Sequence, residues 1–479
     1  MSAHRRFLFA SYLAVNTLCW RSEAQISMAV SQPPPGQAAA LQPQSGKLTL
    51  SAAIDAAEAN YPKTRVALEQ RNAAQAAIGV ARSAYYPRAD VLWQTNRATA
   101  NNIYGLLLPQ GVIPSISGPV IASNNTRSAW SSAGGTQISW QPFDFGLRAA
   151  QVNATKQGAQ AATAGFALTR LEVAALTANA YFDLATAEQL ATAAQANVNR
   201  LQVLANSVHV LVNNQLRPGA DAAQADAQLA LARTQLIQAH TNIEVRRATL
   251  AELVGTPTVE LDYEKLLAPA PSEPNPASIA GHPAAQREVA LGNQQQARLS
   301  ALEHSYVPQF NALASLSGRG AGTDLNGNFP GGANGLSPNV LNWAAGVQMT
   351  FPAFDFFGLR AQKKVQAANV RAEQASYAQL VDDLSAGVQQ AQSQLAGARE
   401  VALNTPIELS AAQQSEAQQR ARFQAGLATV IDVAAAESVL VQAEADDAVA
   451  RLNVWRAMAA EAAARGDLTP FLSQLAGKR

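Results

Sequence analysis

Cysteine is nearly missing from this sequence. Among 479 residues the one thiol is Cys19, which lies in an apolar N-terminal stretch, so neither a disulfide framework nor a cysteine metal site is available to the rest of the chain. Charge is also scarce. Asp, Glu, Lys and Arg make up 14% of the residues, against about 25% in an ordinary globular protein. The formal net charge is +1, with no basic run and no basic–aromatic stripe, which argues against a nucleic-acid partner. No stretch beyond the N-terminus approaches ~20 uncharged apolar residues, so no transmembrane helix is expected. The five histidines, His4, His209, His240, His282 and His304, are scattered. No HExxH, GxSxG or Walker pattern accompanies them, so the sequence offers no enzyme and implies no cofactor or metal. What fills the gap is Ala, Gln, Asn, Ser and Thr: a surface that is polar without being strongly charged.

The N-terminus has the form of an export signal. His4, Arg5 and Arg6 give a basic start, and residues 7–19 form a short apolar core. Ser22-Glu23-Ala24 and Ser27-Met28-Ala29 both fit a small-x-Ala cleavage site. Residues 1–24 are read as the signal, with Ala29 as the alternative cut, and 25–46 as a Pro-rich segment. Lipidation at Cys19 is disfavoured by Leu18 before it and Trp20 after it, since a small residue normally precedes such a cysteine.

The remainder reads as a doubled unit. WQPFDFGLR at 140–148 returns as FPAFDFFGLR at 351–360. Tyr61-Pro62 and Pro87 bracket one Ala-rich segment, and His282-Pro283 and Pro308 bracket another of equal length. Asp221 returns as Asp432, Asp226 as Glu437 and Gly255 as Gly466 at one shift of about 211 residues, far longer than a solenoid period. The first repeat covers 47–255 and the second 281–466. Between them, 256–280 carries Pro257, Pro269, Pro271, Pro274 and Pro276 and suits a connector. Residues 467–479 are left as a tail.

Each repeat opens with a predicted helix, about 51–85 and then about 280–306. The period then changes to two. Ala89, Val91, Trp93 and Thr95 oppose Asp90, Leu92, Gln94 and Asn96; Ile138 and Trp140 oppose Gln137, Ser139 and Gln141. In the second repeat Phe310, Ala312, Ala314 and Leu316 oppose Gln309, Asn311, Ser315 and Ser317. Trp343, Ala345, Val347, Met349 and Phe351 oppose Ala344, Gly346, Gln348 and Thr350. Four strands of roughly ten residues follow, apolar on one side and small or polar on the other. A membrane barrel has this pattern; so does a half-buried sheet in a soluble protein. Long Gly/Asn/Pro/Ser connections, 98–134 and 319–342, join the pairs, and GRGAGTDLNGN at 318–328 reads as an exposed loop. Helical periodicity then resumes. No proline falls between Pro142 and Pro218, and some 65 helical residues reach ~100 Å, too long for a compact domain. A second helix follows at about 220–254. The second repeat copies this over about 357–465, with Pro406 expected to kink its long helix. A soluble periplasmic coiled-coil scaffold would also explain the rods, but not the strands.

Four strands cannot close a barrel, because an open edge leaves unpaired amides in lipid. Several chains must then share one barrel, with the rods continuing it as a helical tube.

These features resemble the TolC-like outer-membrane efflux proteins. The resemblance spans nearly all of the chain after the signal. It rests on the Tyr/His-Pro helix starts, the QPFDFG and FPAFDFFG phrases, and AGLATVIDVAAAESVLVQAE at 425–444, which looks like the family's helix tip. It implies an α+β membrane protein: a homotrimer with a 12-stranded β-barrel in outer-membrane lipid, four strands per chain, continued by a periplasmic α-helical barrel. It further implies a passive exit duct, gated at the helix tips and opened by a periplasmic adaptor (membrane fusion protein) and an inner-membrane pump.

The resemblance also selects residues. Asp432 would form a carboxylate ring near the closed end, and Asp221, counted with it in the gate, stands at the matching position of the first hairpin; a plain N-terminal capping role competes for both. Phe423, Ala428 and Ala435 stand where the best-studied gate has polar groups, so closure is expected to rely on apolar contact around Phe423 and Leu427. Gly426 and Leu427, with Leu216, Pro218 and Gly219, would form the turns that meet the adaptor.

Overall fold

The computed structural model describes residues 47–99, 128–256, 259–268, 281–322, 331–351 and 354–475. The signal, Cys19 and the segment 25–46 lie outside the described residues. Contacts divide the chain into Met1–Lys47 and Leu48–Arg479, and every element below belongs to the second unit.

Both halves have the order helix, strand, strand, long helix, shorter helix. The first contains α1 (Leu50–Asn60), α2 (Pro62–Ser83), β1 (Arg88–Thr99), β2 (Ser128–Phe143), α3 (Leu147–Asn213) and α4 (Gly219–Val254). The second contains α5 (Pro283–Glu303), β3 (Gln309–Ala321), β4 (Val340–Thr350), α6 (Phe356–Gln424) and α7 (Val430–Ala464), followed by α8 (Thr469–Leu475). The single opening helix expected at 51–85 is broken in two. Tyr61 precedes Pro62 and adopts φ −65°, ψ 129°, because a residue before proline is pushed out of the helical region. His282 before Pro283 has the same geometry, φ −63°, ψ 130°.

The four strands form one antiparallel sheet in the order β1-β2-β3-β4. Register decides the faces. Val91 pairs with Thr136, Ile138 with Ala314, Leu316 with Trp343, and Ala312 with Val347. The apolar sides of all four strands therefore fall on one face, where Val91, Trp93, Trp343, Val347 and Met349 are exposed. Asp90 pairs with Gln137, and Ser315 with Ala344, on the other face. The strands are longer than expected, 11 to 16 residues. They take in residues assigned from sequence to loops. Gly318 and Gly320 lie in β3, where a Cβ on Gly320 would sit 2.2 Å from the Ser337 carbonyl, so glycine here serves close backbone approach rather than a loop. Residues 100–127 and 323–330 lie outside the described residues.

All four strands meet the helices at one end. There Asp144 and Arg148, both buried, lock the start of α3. Arg148 Nε donates to Asp144 Oδ2 at 2.7 Å and its Nη1 to the Ala84 carbonyl at 3.0 Å, while its guanidinium lies 4.8 Å from the Tyr85 ring centre. In the second half an extra phenylalanine enters the phrase, and Asp355 and Arg360 are exposed.

α3 and α6 run for 67 and 69 residues, each about 100 Å. Each folds back on a shorter partner, α4 and α7. The helical run of α6 continues through Pro406. α3 packs on α2, α4, α5 and α7. The main apolar core sits partway along the rods, where α1, α8 and the connector wrap them: Ile54, Phe182, Leu184, Leu250, Leu452, Met458 and Phe471 are fully buried. Tyr181 ties this belt together, its hydroxyl lying 3.0 Å from the Leu48 carbonyl and 2.8 Å from that of Asp262. The connector is thus more than a spacer: Leu261 bridges Leu48, and Leu261 and Leu266 are buried. The tail likewise contributes Phe471 to the core.

Candidate functional site: the two hairpin tips

The rods end, away from the sheet, in two turns built alike. In the first, Leu216 N–H donates to the Leu211 carbonyl at 2.9 Å and Gln215 N–H to that of Val212 at 2.9 Å. In the second, Leu427 N–H donates to the Arg422 carbonyl at 2.8 Å and Gly426 N–H to that of Phe423 at 3.0 Å. This pair of bonds is the Schellman termination, which places its C′ residue in the left-handed region. Gly426 accepts that at φ +76° without penalty; Gln215 adopts φ +59° with a side chain. The following leucines, Leu216 and Leu427, are 70% and 71% exposed. Pro218 then caps α4, whose first residue is Gly219.

The aspartates take different partners. Asp432 forms a capping box with Thr429: Thr429 N–H donates to Asp432 Oδ2 at 2.7 Å, and Asp432 N–H donates back to Thr429 Oγ1 at 3.3 Å. Thr429's N–H and hydroxyl hold the exposed Asp432 carboxyl below the usual carboxylate range. Within one chain its geometry is that of a cap. Asp221 instead meets Arg217, whose Nη1 is 3.3 Å from Asp221 Oδ2.

Arg217 was not singled out from the sequence, and it joins the two tips. Its Nη2 donates to the carbonyls of Phe423 at 3.3 Å and Ala428 at 3.4 Å. Its guanidinium lies 4.5 Å from the centre of the Phe423 ring. Two expectations change as a result. Phe423 is 5% exposed and packs with Val198, Leu201, Val208, Leu229 and Val433, so its ring is already buried by its own chain. A polar contact between the two tips is nevertheless present, made by Arg217 on the opposite hairpin from Ala428. The one sequence signal was that Arg217 and Ala428 are equivalent positions, so the repeat itself could have shown the charge displaced to the other copy. Ala435, where a second ring aspartate was looked for, is exposed.

No group of three or more His, Cys, Asp or Glu side chains is arranged to hold a metal ion among the described residues. No described helix is long and apolar enough to cross a membrane.

Known structures share this architecture. The Campylobacter jejuni CmeC outer membrane channel superposes with a TM-score of 0.71 at 16% identity, covering 87% of this chain and 85% of that one. VceC from Vibrio cholerae gives 0.68 at 18%, covering 87% and 96%. The open state of the Neisseria gonorrhoeae MtrE channel gives 0.69 at 20%, covering 87% and 89%. At such identities the likeness is one of fold. No curated protein sequence matches the chain. The model of the outer membrane efflux protein family matches residues 53–256 and again 282–466. Those two matches take in most of the chain and follow the two halves of the fold, and the chain belongs to the outer membrane efflux protein family, a family of channels rather than enzymes.

Proposed function

We propose that three copies of this chain assemble into an exit duct that crosses the outer membrane as a 12-stranded barrel and the periplasm as a helical tube. The observation that carries this reading is the open sheet. Its exposed face is predominantly apolar, and among the described residues its edge strands β1 and β4 have no further strand beside them. In lipid every backbone polar group must be paired, so β4 of one copy must pair with β1 of the next. A soluble scaffold would leave Val91, Trp93, Trp343, Val347 and Met349 in water. Tyr86, Phe143, Phe145, Phe354 and Phe357, exposed where strands meet helices, match the aromatic girdle that marks a barrel's membrane boundary. Exposed apolar residues along α6, such as Val365, Leu403 and Ile407, suit contact with a neighbouring copy. The doubled element order and twofold family match support a duplicated ancestral unit.

The duct is passive. It is closed where the tips of the three copies converge and opened when a periplasmic adaptor, coupled to an inner-membrane pump, meets Leu216 and Leu427. Arg217 holds the two tips of each copy together in the closed state. Asp432 of three copies encircles the axis. The test is direct: the protein should fractionate with the outer membrane and run as a trimer by native mass spectrometry in detergent. Charged replacements at Gly426 and Leu427 should abolish export while leaving trimers in the membrane. A water-soluble monomer would end the assembly reading, and full export by the tip variants would move docking elsewhere.

A further inference from the structure

Charge in the sheet is sorted by face and by height. The four strands carry four charged residues, Arg88, Asp90, Arg97 and Arg319. Arg88 and Asp90 sit where the sheet meets the helices and cancel: Arg88 Nε donates to Asp90 Oδ1 at 3.0 Å. Arg97 and Arg319 lie near the opposite end, on different faces. Arg97 pairs with Trp130 and shares the apolar face of Val91 and Trp93. Its Nε donates to Ser128 Oγ at 3.0 Å, and its guanidinium lies 5.4 Å from the Trp130 ring centre. Arg319 pairs with Ala133 on one side and Val340 on the other. Alternation along β3 puts it on the polar face with Ser315 and Ser317.

The surrounding sequence does not neutralise that end. Between Asp90 and Asp144, and again between Glu303 and Asp355, the charged residues are Arg97, Arg127, Arg319 and Asp324, counting histidine as neutral. Three arginines against one aspartate leave an excess positive charge on every chain. Of the arginines within the strands, Arg319 alone combines the polar face with the end far from the helices.

We propose that Arg319 makes the outer mouth of the barrel favour anions. The inference rests on the duct reading, in which the polar face lines the lumen and three copies place three Arg319 side chains around one opening. The ring attracts anionic solutes, such as carboxylates and phosphate esters, and repels cations entering from outside. It biases passage by charge and needs no binding pocket. Salt sets its reach: the field extends about 10 Å at 0.1 M ionic strength and about 30 Å at 0.01 M. The mouth thus has the opposite sign to the Asp432 carboxylates at the periplasmic end.

Asn342 is the position from which to read this field. It is exposed and pairs with Ser317, so it lies on the same face as Arg319, diagonally across from it at about 7–8 Å. With Cys19→Ser in place, Asn342→Cys is the one thiol, and the chain is purified as trimers in neutral detergent. Its thiolate attacks a methanethiosulfonate reagent, forming a mixed disulfide and releasing methanesulfinate. The reagent's tail carries either a sulfonate or a trimethylammonium group. The ratio of the two rates, divided by the same ratio for free mercaptoethanol, reads the local potential; any effect of Arg319 on the thiol itself cancels. One unit charge at that distance gives about a fourfold preference for the anionic reagent in about 10 mM salt, and almost none in about 1 M. Arg319→Gln should abolish the preference and Arg319→Glu should reverse it. No preference in the parent background, or one unchanged in Arg319→Gln, overturns the inference and leaves the duct reading intact. A thiol closed to both reagents would refute the water-filled lumen, and the inference with it.

Discussion

Replacing Arg217 with alanine should loosen the periplasmic end of every chain. The side chain makes two carbonyl contacts on the opposite hairpin, at 3.3 and 3.4 Å, near the long limit of a hydrogen bond, so each contributes about 0.5–1 kcal/mol. The Phe423 ring, 4.5 Å from the guanidinium, adds about 0.5–2 kcal/mol as a cation–π contact. The Asp221 pair is local to one hairpin and does not oppose separation of the tips. Together these give about 1.5–4 kcal/mol per chain, or a roughly 10- to 700-fold shift towards the parted state. Single-channel recording in planar bilayers is the assay: Arg217→Ala should raise the open fraction by that order. Arg217→Lys, which keeps the charge but loses the planar fork, should fall between the two. Adding Phe423→Leu to Arg217→Ala should cost less than it does alone, because the ring contact is already gone. An Arg217→Ala channel as closed as the parent would refute the latch.

Three further outcomes follow from the geometry. Gln215→Gly relieves a side chain held at φ +59° and should stabilise the first tip by about 1 kcal/mol, seen as a raised thermal midpoint; the reverse change, Gly426→Gln, should lower it. Val347→Arg places a charge on the apolar face of β4 and should cost about 2–4 kcal/mol if that face meets lipid near the bilayer midplane, read as reduced recovery in the outer membrane. Thr429→Ala removes the hydroxyl but keeps the backbone N–H, the larger of the two holds on Asp432, so it should raise the Asp432 carboxyl part of the way towards its ordinary value. The cap's contribution is present above the ordinary aspartate value, about 3.9, and is lost as pH falls through the lowered one. Titration of Asp432 by NMR or by channel block with cations checks the direction.

Secondary structure in this protein was legible because it is set by neighbours in sequence. Alternation of Val91, Trp93 and their polar partners, the proline-free run from 143 to 217 and the doubled FDFG phrase located the strands and rods nearly in full. Tyr61 was misread because an Ala-rich period continued on both sides of a single pre-proline break. The two turns between the rods were legible unequally, since Gly426 announces a left-handed residue whereas Gln215 does not. What the sequence could not yield was pairing across long separations. Arg217 meets Phe423 and Ala428 from 206 and 211 residues away, and Arg200 meets Glu437 from 237. Such contacts depend on how one hairpin is rotated and slid against the other, which the buried ring of Phe423 and the branched apolar residues packed with it help to set. The chain alone fixed which segments are rods and ribbons; only the tertiary packing decided which charges face one another, because helical periodicity is a local energy while the register between helices is a property of the whole core.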